Sequence, residues 1–170
     1  MLQRGFTIVE VIITITIMGI LMVVAVVNIS GTQARARDDE RKADVEAIAS
    51  QLESYFKTGT DGSVNFNRYP TTNLVSSAAL MKSTLRDIDP KSLTAPGISD
   101  PLQSFIAATN NIQTTAGVTP QPITINQYVY QPIKPDGSLC VTGDTDCRKF
   151  NIYYHLESDD TTYMITSKNQ

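Results

Sequence analysis

Residues 5–27 read GFTIVEVIITITIMGILMVVAVV, an apolar run interrupted by one acid, Glu10. No other residue between Gly5 and Arg35 carries a charge at neutral pH. Residues 6–27 number 22. As a helix they reach about 33 Å, enough to cross a bilayer core of roughly 30 Å. A plain anchor has no use for a carboxylate four residues inside its polar edge, because an acid in lipid is costly and usually has a partner. The run offers Glu10 no Lys or Arg. The candidate cation is a terminal amine made by cutting before Phe6. Within one chain that amine lies four residues from Glu10; between staggered chains it meets a neighbour's Glu10 and sets a register.

The stretch Gly5-Phe6-Thr7-Ile8-Val9-Glu10 resembles the class III signal of type IV pilins and pseudopilins. That signal is a short basic leader ending in glycine, followed by phenylalanine and an apolar helix with glutamate at its fifth residue. Met1-Leu2-Gln3-Arg4-Gly5 fits the leader. The resemblance implies that a prepilin peptidase cuts after Gly5 and that the freed amine of Phe6 is methylated. It implies pairing of Glu10 with the amine of another subunit, and partners that are identical or related pilins. Membrane lipid before assembly and an inner-membrane assembly platform are further implied partners. Gly19 matches a glycine of the family, whereas Val27 stands where many pilins carry proline. Some relatives melt their helix in this region on assembly, and Val27 leaves that open here.

Other readings of the N-terminus fit less well. A secretory signal needs a shorter apolar core and a small-residue cleavage site, which Val26-Val27-Asn28-Ile29-Ser30 does not supply. A lipoprotein signal needs a cysteine beside the core. A simple signal anchor explains neither Gly5-Phe6 nor Glu10. Counting positive residues, Arg4 before the span against Arg35, Arg37, Arg41 and Lys42 after it, points the C-terminal side to the cytoplasm. The cleavage motif points the other way, to an extracytoplasmic head, and later to an extracellular filament.

The chain has 170 residues and a net charge of −3. Behind the anchor about 110 residues remain, enough for one small domain. The head is mildly acidic and offers no broad basic face, so nucleic acid is not an expected partner. No nucleophile, base and acid can be grouped, and no enzyme is expected.

Residues 34–57 continue in helical composition. Val45, Ile48, Leu52, Tyr55 and Phe56 recur at three- and four-residue steps and form one apolar stripe. The charged cluster from Arg35 to Lys42 reads as a solvated collar, with Asp38 and Lys42 spaced to pair. A nearly continuous helix over 6–57 follows, about 75–80 Å long, with Gly31 as a candidate bend. Residues 59–62 (GTDG) end it. Residues 74–88 predict a short helix with Leu74, Ala78, Met81 and Leu85 on one face. Prolines then punctuate a long connection, in which 107–119 reads as mobile. Strands are expected at 127–133, 150–156 and 162–166, the first broken or edged by Pro132. Together these predict an α+β fold: a leader (1–5), a membrane or filament-core helix (6–33), its amphipathic continuation (34–57), a variable connection (58–126) and a C-terminal antiparallel meander (127–170).

Two cysteines outside the cytoplasm most simply form one disulfide, Cys140–Cys147. Two thiols with a distant His155 lack a zinc spacing. Asp136, Asp144 and Asp146 supply oxygen ligands of the kind calcium takes, and some pseudopilins bind calcium in such loops. Their Asp-Gly and Gly-Asp contexts read more simply as turns, so no cofactor is expected and calcium is the one candidate. His155 falls on the strand face opposite Tyr154 and reads as a surface residue. The resemblance implies a structural function: a pilus subunit serving adhesion, motility or DNA uptake, or alternatively a pseudopilin of a type II secretion system. From another class stands a membrane-anchored binding domain that never polymerises.

Overall fold

The computed structural model describes residues 6–59, 67–122 and 126–169, without the side chains of residues 26–30. The first helix, α1 (Ile8–Thr58), is 51 residues long, or about 77 Å. Thr7 caps it, its hydroxyl accepting from the N–H of Glu10 at 3.2 Å. Gly59 closes it at φ 64°, a left-handed angle suited to glycine, and donates its N–H to the carbonyl of Tyr55. The helix runs through Gly19 and Gly31 without a break. Thr14 and Thr16 donate their hydroxyls to the carbonyls of Glu10 and Ile12. Both polar groups are thereby satisfied inside the apolar half.

The expected helix over 74–88 is two shorter pieces. A 3-10 turn spans Thr72–Ser76, and α2 spans Ala78–Thr84. Ser77 lies between them in extended conformation and caps the second, its hydroxyl accepting from the N–H of Leu80. Leu74, Met81 and Leu85 are buried as the spacing predicts, but Ala78 is exposed. A second 3-10 turn (Pro90–Leu93) and α3 (Pro101–Ser104) each begin with an Asp cap followed by proline.

The sheet has the order β1-β2-β3-β4. Its last three strands, β2 (Tyr128–Ile133), β3 (Lys149–Leu156) and β4 (Thr161–Thr166), form the expected antiparallel meander. The first strand, β1 (Phe105–Ala107), was not expected. It pairs in parallel with β2, which makes the sheet mixed. Pro132 lies beyond the three residues of β2 that β1 covers, where its carbonyl accepts from the N–H of Cys140 and no N–H of its own is required.

Both faces of the sheet are covered. On one, Val45, Ile48 and Leu52 of α1 pack with Tyr130, Phe150, Ile152, Tyr154 and Leu156. On the other, Ala108 and Val118 of the connection pack on Val129 and Tyr153. The stretch 107–119 is therefore held and not a mobile loop. Asn110 brackets it, accepting from the N–H of Thr119 and donating to the carbonyl of Gly117. Gln131 reaches it from β2, donating to the carbonyls of Asn110 and Ile112. A parallel neighbour needs a crossover, and this segment supplies it.

Candidate functional site

The half of α1 from Ile8 to Ala25 is apolar and wholly exposed, with a mean hydropathy of 2.7. None of its residues is buried against the described residues of the head. Phe6, Ile8 and Val9 at its start are all exposed, and Glu10 stands among them with its side chain open to the surroundings. A Cβ built on Gly19 meets no atom within 4 Å. That side of the helix is open to close approach by a second helix. Gly5 and the cleavage expected after it lie outside the described residues, as does the side chain of Val27.

The other half of α1 holds the head by more than its apolar stripe. Asp38 is buried, and its two oxygens accept the backbone N–H groups of Glu157 and Ser158, each at 2.8 Å. These open the turn between β3 and β4. Arg41, fully buried, donates to Asp38 at 2.8 Å. Arg37 clasps Glu157 with two hydrogen bonds, of 2.9 and 2.6 Å. Burial pushes the Asp38 carboxyl upward, but the two N–H donors and Arg41 outweigh it and hold the group below its ordinary range. The hydrogen bond from Arg37 draws Glu157 down as well.

Two further acids fix the helix along its length. Asp44 accepts from the hydroxyl of Tyr128 at 2.9 Å. Glu53 accepts from the hydroxyl of Tyr69, the N–H of Lys168 and the side chain of Asn169. Burial pushes the Tyr128 hydroxyl up, and the Asp44 charge adds to it. Burial likewise pushes Tyr69 up to about 12, so both phenols stay protonated donors.

The collar expected to be solvated is thus partly a buried docking cluster. Asp38 pairs with Arg41 and not with Lys42, which reaches Asp39. The missed signal was phase. Asp38 and Arg41 extend the steps of Val45, Ile48 and Leu52, so they share the inward face of the helix.

Cys140 and Cys147 are joined by a disulfide. Their backbones hold the strand-free stretch after α1: Cys147 and Cys140 accept at their carbonyls from the N–H groups of Tyr69 and Thr72. The three acids of this region are not brought together. Asp136 closes its own turn on Ser138, Asp144 faces Lys134 and the N–H of Val141, and Asp146 pairs with Arg148. Among the described residues no three His, Cys, Asp or Glu side chains are grouped to hold a metal. His155 is more enclosed than a surface residue, its ring set between Thr162 and Asp160.

Comparison with known proteins bears on both halves. Residues 1–26 match the family model of the prokaryotic N-terminal methylation motif. The type II secretion system core protein G of Dickeya chrysanthemi is 34% identical over 82 residues, 48% of this chain and 49% of that protein. Its counterpart in Pectobacterium carotovorum subsp. carotovorum is 30% identical over 95 residues, 56% of each. The type IV major pilin protein PilA of Myxococcus xanthus is 38% identical over 54 residues, 32% of this chain and 24% of that protein. The chain spans about half the length of the core G proteins it matches. No solved structure matches it.

Proposed function

We propose that the chain is a member of the type IV pilin and pseudopilin superfamily that it resembles, and a structural subunit of a helical filament, polymerised through the apolar half of α1. The observation that carries the reading is the exposed stretch Ile8–Ala25, continuous with the helix that anchors the head. A surface so apolar must be covered. Before assembly lipid covers it, and afterwards the same stretch of neighbouring copies does.

Glu10 gives the assembly its register. In this reading a prepilin peptidase cuts after Gly5, and the methylated amine of Phe6 on one copy pairs with Glu10 of the next. An unpaired charge in such a bundle costs several kcal/mol, on the order of 3–5. Bundles out of register are therefore rejected. An assembly platform in the inner membrane extracts the monomers, and the filament grows from that side.

Two machines use such subunits. The resemblance to the core G proteins extends through about half of this chain, well past the N-terminal motif, whereas the pilin match covers 32% of it. That difference supports a pseudopilin of a type II secretion system over a surface pilus for adhesion, motility or DNA uptake.

The test is intact-mass and N-terminal analysis of the protein from native membranes and from sheared cell-surface material. A chain starting at N-methylated Phe6 in membranes, and in sedimentable assemblies when overexpressed, is the expected result. The same chain in sheared surface filaments at native expression identifies the pilus. A chain starting at Met1 in a host with an active prepilin peptidase overturns the reading in favour of a plain anchor.

A further inference from the structure

We propose that neighbouring copies of this chain also join their heads edge to edge, β4 of one copy adding in parallel to β1 of the next. The inference rests on the filament reading, because copies held in one orientation are what present the two edges to each other.

Among the described residues both outer strands keep outward backbone groups without a partner, although on β1 the N–H of Phe105 is taken by the Pro101 carbonyl. Ala107 is registered with Tyr130, and Ala108 donates its N–H to the Tyr130 carbonyl at 2.8 Å. By alternation the N–H and C=O of Ala107 face away from β2. At the other end Ser167 donates to the Phe150 carbonyl. Counting back in twos, Thr161, Tyr163 and Ile165 bond to β3, and the backbone groups of Thr162, Met164 and Thr166 point outward.

Neither edge strand carries a charge or a proline, although the 3-10 turn Thr72–Ser76 lies beside β1. Exposed edge strands are commonly blunted by charge or proline. β1 reads FIA and β4 reads TTYMIT, with neither. The β1 edge opens onto a groove of about 510 Å³, walled by Thr72, Val75, Ser76, Leu139 and Val141, with no charged residue in its lining. β4 offers an uncharged strand in return, with Tyr163 and Met164 both more than a third exposed.

Direction completes the fit. β1 runs parallel to β2, and β3 runs antiparallel to both β2 and β4. Hence β1 and β4 point the same way. A copy rotated about a common axis, without inversion, brings its β4 alongside β1 in parallel. Such a contact uses two different surfaces and propagates along a helix instead of closing as a dimer. Phe105 already donates its N–H to Pro101 and Thr109 its N–H to Thr119, so the joint centres on Ala107, is short and supplements the helix bundle.

Paired cysteines in the full-length chain, expressed with its assembly machinery, test the contact. Phe105 and Ile165 pack in the same core, so Ala107, Thr161 and Tyr163 share the helix-facing side and Met164 points to the other. Adjacent strands lie about 4.8 Å apart, within disulfide range. Sedimented assemblies of Ala107→Cys combined with Thr161→Cys, or with Tyr163→Cys, are oxidised mildly and run on a non-reducing gel. The expected result is a ladder beyond dimer in at least one of these variants and none for Ala107→Cys with Met164→Cys or for the single variants. Assemblies that form normally but give no ladder, or dimers alone, overturn the edge contact and leave the filament reading standing. A wild-type chain that yields no assemblies overturns both.

Discussion

Asp38 does for the turn between β3 and β4 what an N-cap does for a helix: it takes up two backbone N–H groups that have no partner in the ladder. Removing it leaves Glu157 and Ser158 undercapped and takes from buried Arg41 its 2.8 Å acid, with Glu157 remaining at 3.8 Å. Asp38→Ala should therefore cost about 3 kcal/mol, a fall of roughly 10 °C in the melting temperature of the detergent-solubilised protein. A fall within about 2 °C would show that the cluster contributes little. The same group sets an acid limit. Its folded pKa lies below the ordinary value, as does that of Glu157. Their stabilisation is thus complete above about pH 5 and is lost as pH falls through the folded values. Asp44 runs the opposite way, because burial raises it. It favours the folded state on acidification and flattens the profile. Melting followed between about pH 3 and pH 6 should show a shallower acid loss for Asp38→Asn and a steeper one for Asp44→Asn; identical profiles would remove both assignments. None of these acids was legible as a contact, because a charge on a helix is usually solvated. Only their phase with Val45, Ile48 and Leu52 marked two of the cluster.

At the scale of elements, β2, β3 and β4 were legible to within a residue at each end, since alternation over five or more positions is a strong signal. β1 was not, because three residues between a short helix and a polar loop carry no period. Its absence from the expectation also made 107–119 look mobile, where the chain is a crossover. Gln131 is the pin of that crossover. It is fully buried, donates to the carbonyls of Asn110 and Ile112, and accepts from Asn151 and the Tyr153 hydroxyl. Gln131→Leu strands these groups at a cost of about 2–3 kcal/mol. Hydrogen exchange of the amides in 108–119 should accelerate well before that of β3; uniform protection in the variant would show that Ala108 and Val118 hold the segment alone. The disulfide pair was legible from compartment, but the roles of Asp136, Asp144 and Asp146 were not decidable from spacing. Since each is turned toward a different partner, calcium or a chelator should leave the melting temperature unchanged. A calcium-dependent rise would restore the metal reading.

For the whole molecule, the switch along α1 from exposed apolar surface to inward-facing stripe was the most legible feature, and Glu10 was legible because a lone acid in such a run has no local reason to exist. In the proposed filament the acid's partner is the amine of another copy. In a membrane-inserted monomer Glu10 lies close to the polar edge, where its cost is modest, and valine in its place favours insertion. In a bundle the same carboxylate sits among helices, where it is tolerated only with a cation beside it. Glu10→Val should therefore separate the two states. Membranes should hold as much mature chain as in the wild type, beginning at Phe6, because neither the Gly5-Phe6 junction nor the anchor's length changes. Sedimentable assemblies should fall to a small fraction, because nothing then selects one stagger of helices over another. Mixing provides the sharper readout. A variant chain still presents its own amine, so in this reading it docks against a wild-type Glu10 but offers none to the next copy. Co-expression should shorten wild-type assemblies in proportion to the variant added. Assemblies of normal length and number from Glu10→Val alone would mean that packing around Gly19 and the heads sets the register, with the acid left to processing.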